Sequence, residues 1–331
     1  MLGKLRSVFL VFLAVQACVD IGDDTVDPRL GREGRVRFSG GGCAAGSSTT
    51  LAVGSTETLT LEPQPGVALP SDLEAGSSAP AVIEATRGST VDQVVLEAHR
   101  AGEARVELRS GGATWDSLDF RAEPAASVQF YGVPAVFAGG TAYVKVEEVY
   151  GACGQDCPLL GRGFLRWSAV PATGLTPLRD AGGVAYFAAG EPGEVRVEGR
   201  EPSGGALLVE HPVQVVPVAD AGAVEARILV ALPDQTVLDP QPLPAELPAG
   251  SLFLIQLEAP AGDRTVPLAG ADVHWTVEGD TSAVEPYGDG SEPPAEGPIF
   301  SAVAAGSVDM VANIPLLGRT ERYALTITAG S

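Results

Sequence analysis

The chain has 331 residues and a formal net charge of −21, from 42 acidic against 21 basic side chains. That balance excludes a nucleic-acid partner, which would need a basic footprint to neutralise phosphates, and it repels an anionic membrane surface unless some other device holds the chain there. A hydrophobic content of 45% excludes a disordered polymer, and 41 glycines and 26 prolines point to many short strands joined by turns.

The chain opens with Lys4 and Arg6, followed by the apolar run "VFLVFLAV" from Val8 to Val15. A bilayer span needs about 20 apolar residues; this run has the length of a secretory leader's core instead. It ends in "VQAC", Val15-Gln16-Ala17-Cys18. The motif resembles the lipobox of bacterial lipoproteins: an aliphatic residue, a tolerant position, a small residue, then cysteine. The resemblance implies cleavage of residues 1–17, a diacylglyceryl thioether on Cys18 and an acylated amine. The membrane is then a partner through the lipid, each buried CH2 contributing about 0.8 kcal/mol. Gln16 departs from the usual small residue, and the competing reading is a secreted protein with a chance cysteine. From 18 to 34 the sequence is acidic and aperiodic and contains Gly and Pro, which reads as a solvated tether after the lipidated cysteine.

From residue 35 onward no long stretch keeps a helical period, and segments with apolar residues on every second position are common instead. "TETLTLEP" begins this pattern, and "AYVKVEEV" (142–149), "EVRVEG" (194–199) and "YALTIT" (323–328) continue it. That is the period of a half-buried strand.

The strands recur in a fixed order. "LAVGSTETLTL" (51–61), "VFAGGTAYVKV" (136–146) and "LPAGSLFLIQL" (247–257) each give an apolar residue, a glycine turn and an alternating strand, with Gly54, Gly140 and Gly250 taken as equivalent. "LEAHRAGEARVELR" (96–109), "FAAGEPGEVRVEGR" (187–200) and "FSAVAAGSVDMVAN" (300–313) each give a strand, a turn closing on Gly102, Gly193 or Gly306, and another strand. Between these blocks stand "RWSAV" with Trp167 and "HWTV" with Trp275; the first unit has "GSSAPAVIEA" there. Trp167 and Trp275 are expected as equivalent core anchors. Units of roughly 100 residues and seven strands have the size of an immunoglobulin-like sandwich.

The first unit's "vG-strand" opening, "SS-x-P-x-V" centre and "aG-x-a-x-v" ending resemble a bacterial Ig-like domain of the Big group, found in invasin- and intimin-like surface proteins. The second unit keeps the opening and ending, and the third is the most divergent, with an insertion around "YGDGSEPPAEG" (287–297). The resemblance implies an all-β chain of three tandem Ig-like sandwiches, at 35–125, 126–219 and 220–331. It speaks to fold more than to function.

Few residues suggest chemistry. Cys153 and Cys157 share a turn-rich loop, "YGACGQDCPLL", and in an exported chain a disulfide is favoured over a metal or redox pair. Cys43 is left over. His99, His211 and His274 lie in different units, and no serine sits on a nucleophile elbow. The acidic stretches 20–27 and 278–290 lack the spaced loop that calcium needs, so solvated loops are expected there, with interdomain calcium the rival. Trp115 follows a glycine turn and reads as exposed.

No catalytic residue, metal site or cofactor is expected. The sequence favours a non-enzymatic, lipid-anchored cell-envelope protein with a structural or adhesive role and an envelope or surface protein as partner, at the outer membrane or cell surface. The alternatives are an accessory binding subunit of a transporter or secretion machine and, behind it, a hydrolase with an interdomain site.

Overall fold

The computed structural model describes residues 27–40, 48–181, 183–202, 205–234, 236–238, 240–243, 245–287 and 295–329. The leader, Cys18, Cys43, most of the acidic stretch 20–27 and the centre of the 287–297 insertion lie outside the described residues.

In the first unit the strands are β1 (Val36–Ser39), β2 (Thr50–Ala52), β3 (Thr56–Pro63), β4 (Glu74–Ser77), β5 (Ile83–Arg87), β6 (Gln93–Ala98), β7 (Gly102–Ser110) and β8 (Ala113–Glu123). They form two sheets, in the orders β1-β3-β6-β5 and β2-β8-β7-β4. Alternation sets the faces: in β3, Leu59 and Leu61 are buried while Thr58 and Thr60 are exposed. Phe38, Leu59 and Leu96 of one sheet meet Val106, Leu108 and Phe120 of the other in one core.

The second unit comprises β9 (Ser127–Gly132), β10 (Ala135–Phe137), β11 (Thr141–Tyr150), β12 (Pro158–Leu159), β13 (Arg166–Val170), β14 (Leu175–Ala181), β15 (Val184–Ala189), β16 (Gly193–Arg200) and β17 (Leu207–Val216). The third comprises β18 (Glu225–Ala231), β19 (Gln241–Pro242), β20 (Ala245–Pro248), β21 (Leu252–Ala261), β22 (Arg264–Pro267), β23 (His274–Gly279), β24 (Val284–Pro286), β25 (Ile299–Ala302), β26 (Gly306–Ile314) and β27 (Arg319–Thr328). The sheet orders β10-β17-β16-β13 and β20-β27-β26-β23 repeat β2-β8-β7-β4. In the facing sheets, β11-β15-β14 flanked by β9 and β18-β21-β25-β24 repeat β1-β3-β6-β5. This is the immunoglobulin-like arrangement, strands A-B-E-D facing A′-G-F-C. In each unit the A′ strand runs parallel to the last strand. The chain is all-β with this arrangement occurring three times, and β12, β19 and β22 are additions without a counterpart in the first unit.

The shared turn before the third strand of each arrangement requires a left-handed residue. Gly54, Gly139 and Gly250 hold φ of 85°, 83° and 90°, where a Cβ is strained. The sequence comparison took Gly140 as the equivalent; the structure assigns that role to Gly139. Gly140 serves a different need, because a Cβ there would sit 2.9 Å from Leu316 Cδ2 of the third unit.

Residues 27–34, placed by sequence in the solvated tether, pack against the first unit instead. Arg29 is 1% exposed; its Nε donates to Ser48 O at 3.0 Å and its Nη1 to Gly40 O at 2.6 Å. Asp116, fully buried, accepts the backbone amides of Glu33, Arg35 and Val36 at 3.0, 2.9 and 3.1 Å. Buried charges satisfied by backbone hydrogen bonds in this way order a segment that composition alone marks as solvated.

Candidate functional site at the joints between units

The three histidines stay apart. His211 lies over Gly132 and its Nε2 is 3.0 Å from Val133 O. His274 sits on the edge strand β23, opposite Asn313. His99 Nε2 is 3.3 Å from Glu84 Oε2, and with Glu97 these exposed side chains bring ligand atoms within 4.8 Å of one another. Glu84 and Glu97 are direct cross-strand partners, a like-charge pair on a solvated face that His99 adjoins. In the acidic stretch 278–290, two acids are engaged within the unit: Glu278 pairs with Arg322, and Asp280 accepts the Ser282 hydroxyl at 2.7 Å.

Polar and apolar groups from different units converge instead at two joints. At the first, the segment after β12 leaves its own sheet to meet β2. Leu160 N donates to Thr50 O at 2.7 Å and Ala52 N to Leu160 O at 2.9 Å; Thr56 and Arg162 exchange longer amide bonds of 3.3 and 3.4 Å. The cores interlock here. Leu160, 1% exposed, belongs to the first unit's core, and Ala52 to the second's. Cys153 and Cys157 flank the turn that launches this segment, in disulfide geometry with Cα atoms 5.5 Å apart. An adjoining cleft of about 580 Å³ is lined by Gly102, Glu103, Arg121, Glu123 and Ala152. Two of its charges face one another, with Arg121 Nη2 3.7 Å from Glu123 Oε2.

At the second joint, Asp272 of the third unit accepts Thr141 N–H at 2.7 Å and the Thr141 hydroxyl at 2.8 Å. Burial raises the Asp272 pKa, and the two Thr141 bonds oppose that rise. Ala135, Phe137 and Val216 enter the third unit's core, while Ala269 and Ala295 enter the second's. Glu296 is 7% exposed, and among the described residues neither carboxylate oxygen has a hydrogen-bond donor. Beside it, burial and then the Glu296 charge raise the phenol of Tyr131, and the same two causes push that of Tyr143 well above its usual value.

The tryptophans point inward but stop at the rim. Trp167, on β13, packs edge-on to Phe187 with ring centroids 6.3 Å apart, and its Nε1 donates to Asp180 at 2.9 Å. Trp275, on β23, tilts against Tyr323 at 6.3 Å. Both occupy the strand that carries the core tryptophan of immunoglobulin domains. Both remain half-buried, because β13 and β23 are edge strands. Expected from sequence as core anchors, they pack against the cores of the second and third units while half-buried. Trp115 is likewise half-buried, with the Arg35 guanidinium 5.5 Å from its ring centroid.

Sequence reasoning missed Asp272, Thr141, Glu296, Leu160 and the Tyr131–Tyr143 pair. No local signal marks them: Thr141 and Asp272 are 131 positions apart, and each alone reads as an ordinary turn residue.

No protein-family model matches the chain, and no curated protein matches it. Among solved structures it is similar to the Escherichia coli adhesin FdeC, at 17% identity and a TM-score of 0.26, over 84% of this chain and 94% of that one. It is also similar to the surface layer protein SbsC, domains 4–9, at 14% and 0.31, over 89% of this chain and 48% of that one. Invasin, a bacterial integrin-binding protein, follows at 14% and 0.24, over 88% and 60%. Similarities at these scores carry no argument about function. Among the described residues, no helix is long and apolar enough to cross a membrane.

Proposed function

We propose that the chain is a lipid-anchored protein of the cell envelope whose role is structural or adhesive. In this reading the three units are three Ig-like domains, held to the membrane through Cys18 and presenting a surface to an envelope or surface protein. The observation that carries it is the pair of interlocked joints. At each, side chains of one unit complete the core of the next, so that three sandwiches behave as one connected array. Such a build suits placement and contact, and we read the chain as non-enzymatic. The anchor rests on the "VQAC" motif.

Mass spectrometry of the mature N-terminus, on protein taken from native membranes by detergent partitioning, tests the anchor. The expected species begins at an acylated Cys18, and Cys18→Ser is expected to remain unprocessed or leave the membrane. An unmodified N-terminus at another residue overturns the lipoprotein reading.

A further inference from the structure

The Cys153–Cys157 pair stands where the second unit reaches into the first. β11 ends at Tyr150, the chain turns through residues 151–157, and β12 returns antiparallel to β11, with Val149 opposite Leu159 and Tyr150 opposite Pro158. The turn is closed by Gly151 N to Cys157 O at 2.9 Å and Cys157 N to Gly154 O at 2.9 Å. Leu160, three residues beyond Cys157, is the side chain that enters the first unit's core. Gly161 follows at φ 92°, and a Cβ there would lie 2.0 Å from Ser55 Oγ. The launch angle of this segment therefore fixes both the insertion of Leu160 and the close passage over Ser55. Cys153 is exposed and Cys157 half-buried, which leaves one sulfur open to attack from solvent.

We propose that this disulfide is a redox-sensitive latch on the joint between the first and second units. A dithiol reductant supplies the electrons. Its thiolate attacks the exposed Cys153 Sγ, the Cys153–Cys157 bond breaks, and Cys157 leaves as a thiolate that takes a proton. The reductant's second thiol then displaces Cys153 from the mixed disulfide. The reductant leaves oxidised, and both cysteines are left as thiols. The freed turn keeps its backbone hydrogen bonds, Gly154 N to Gly151 O at 3.0 Å among them, but loses its covalent closure, and the segment carrying Leu160 opens more often. In an oxidising compartment the latch stays closed.

Hydrogen–deuterium exchange on the full chain tests this, comparing the oxidised protein, the protein treated with a dithiol reductant, and the Cys153→Ser/Cys157→Ser variant. The amides to follow are those of Ala52, Thr56, Leu160 and Arg162, with Val106 and Val197 in the strand interiors as references. For so short a closed loop, chain entropy sets the expected acceleration at the joint amides at roughly tenfold to thirtyfold, with the references unchanged. The reduced wild-type chain gives the same readout should the double variant fail to fold. Joint amides that exchange at the same rate in all three samples overturn the proposal. So does an equal acceleration of Val197, which would make the disulfide a brace of the second unit and not a latch on the joint.

Discussion

Asp272 of the third unit holds Thr141 of the second through two hydrogen bonds, one from the backbone amide and one from the hydroxyl. Removing the carboxylate with Asp272→Ala strands both donors in a partly buried seam. The expected cost is about 2 kcal/mol, typical of hydrogen bonds to a charged group. Calorimetry is expected to show the cooperative unfolding of the two units separating into distinct transitions.

The same residue carries a pH signature. Burial raises its pKa in the folded chain, so the folded state binds its proton more readily than the unfolded state. Its contribution is therefore greatest below the ordinary aspartate range and declines as pH rises from that range to the raised folded value. Denaturant titrations across this acid window are expected to show a downward component with rising pH that Asp272→Asn removes.

Gly199 lies directly beneath the Trp167 indole: a Cβ there would fall 2.9 Å from Trp167 Cζ3 and 3.1 Å from Val209 Cβ. Gly199→Ala is expected to destabilise the second unit by about 1–3 kcal/mol through overpacking. Trp167→Ala, half-buried at the rim, is expected to cost about 2 kcal/mol, below the 3–5 kcal/mol of a fully buried tryptophan. In the double variant the penalties are expected to fall short of their sum, since removing the indole relieves one of the two clashes. A double-mutant cycle by urea denaturation reads this coupling directly.

Asp116 anchors the start of the folded chain. Asp116→Ala leaves the amides of Glu33, Arg35 and Val36 without their acceptor, and a loss of about 3 kcal/mol is expected. Gly31→Ala is expected to act at the same place, since a Cβ would meet the Asp116 carboxylate oxygens at 2.3 and 2.4 Å. Limited proteolysis between residues 27 and 36 is expected to rise in both variants.

The strands were legible in the sequence because a half-buried strand writes its face at every second residue. "TETLTLEP" and "EVRVEG" became β3 and most of β16. The repeated glycine turn was legible too, although sequence could not tell Gly139, which needs positive φ, from Gly140, which needs room for Leu316. Trp167 and Trp275 were placed on equivalent strands, but their partial exposure depends on those strands lying at sheet edges, a property of strand order that local pattern does not carry. The joints were not legible. Asp116 and Glu33 are 83 positions apart, and Thr141 and Asp272 131. Such contacts are set by tertiary packing, within the first unit for Asp116 and between units for Thr141, and local pattern does not carry it. Residues 27–34 were misplaced for the same reason, since their charged, Gly- and Pro-containing composition hides the distant carboxylate that orders them.

The central claim is that three bonded sandwiches act as one connected array built for placement and contact. Small-angle scattering from the full-length processed chain tests it most directly. The account predicts an elongated monomer whose radius of gyration lies well above the roughly 20 Å of a compact globule of this length, with the third unit gaining freedom in Asp272→Ala. A wild-type radius near 20 Å, with a pair-distance distribution symmetric about its centre, would contradict it.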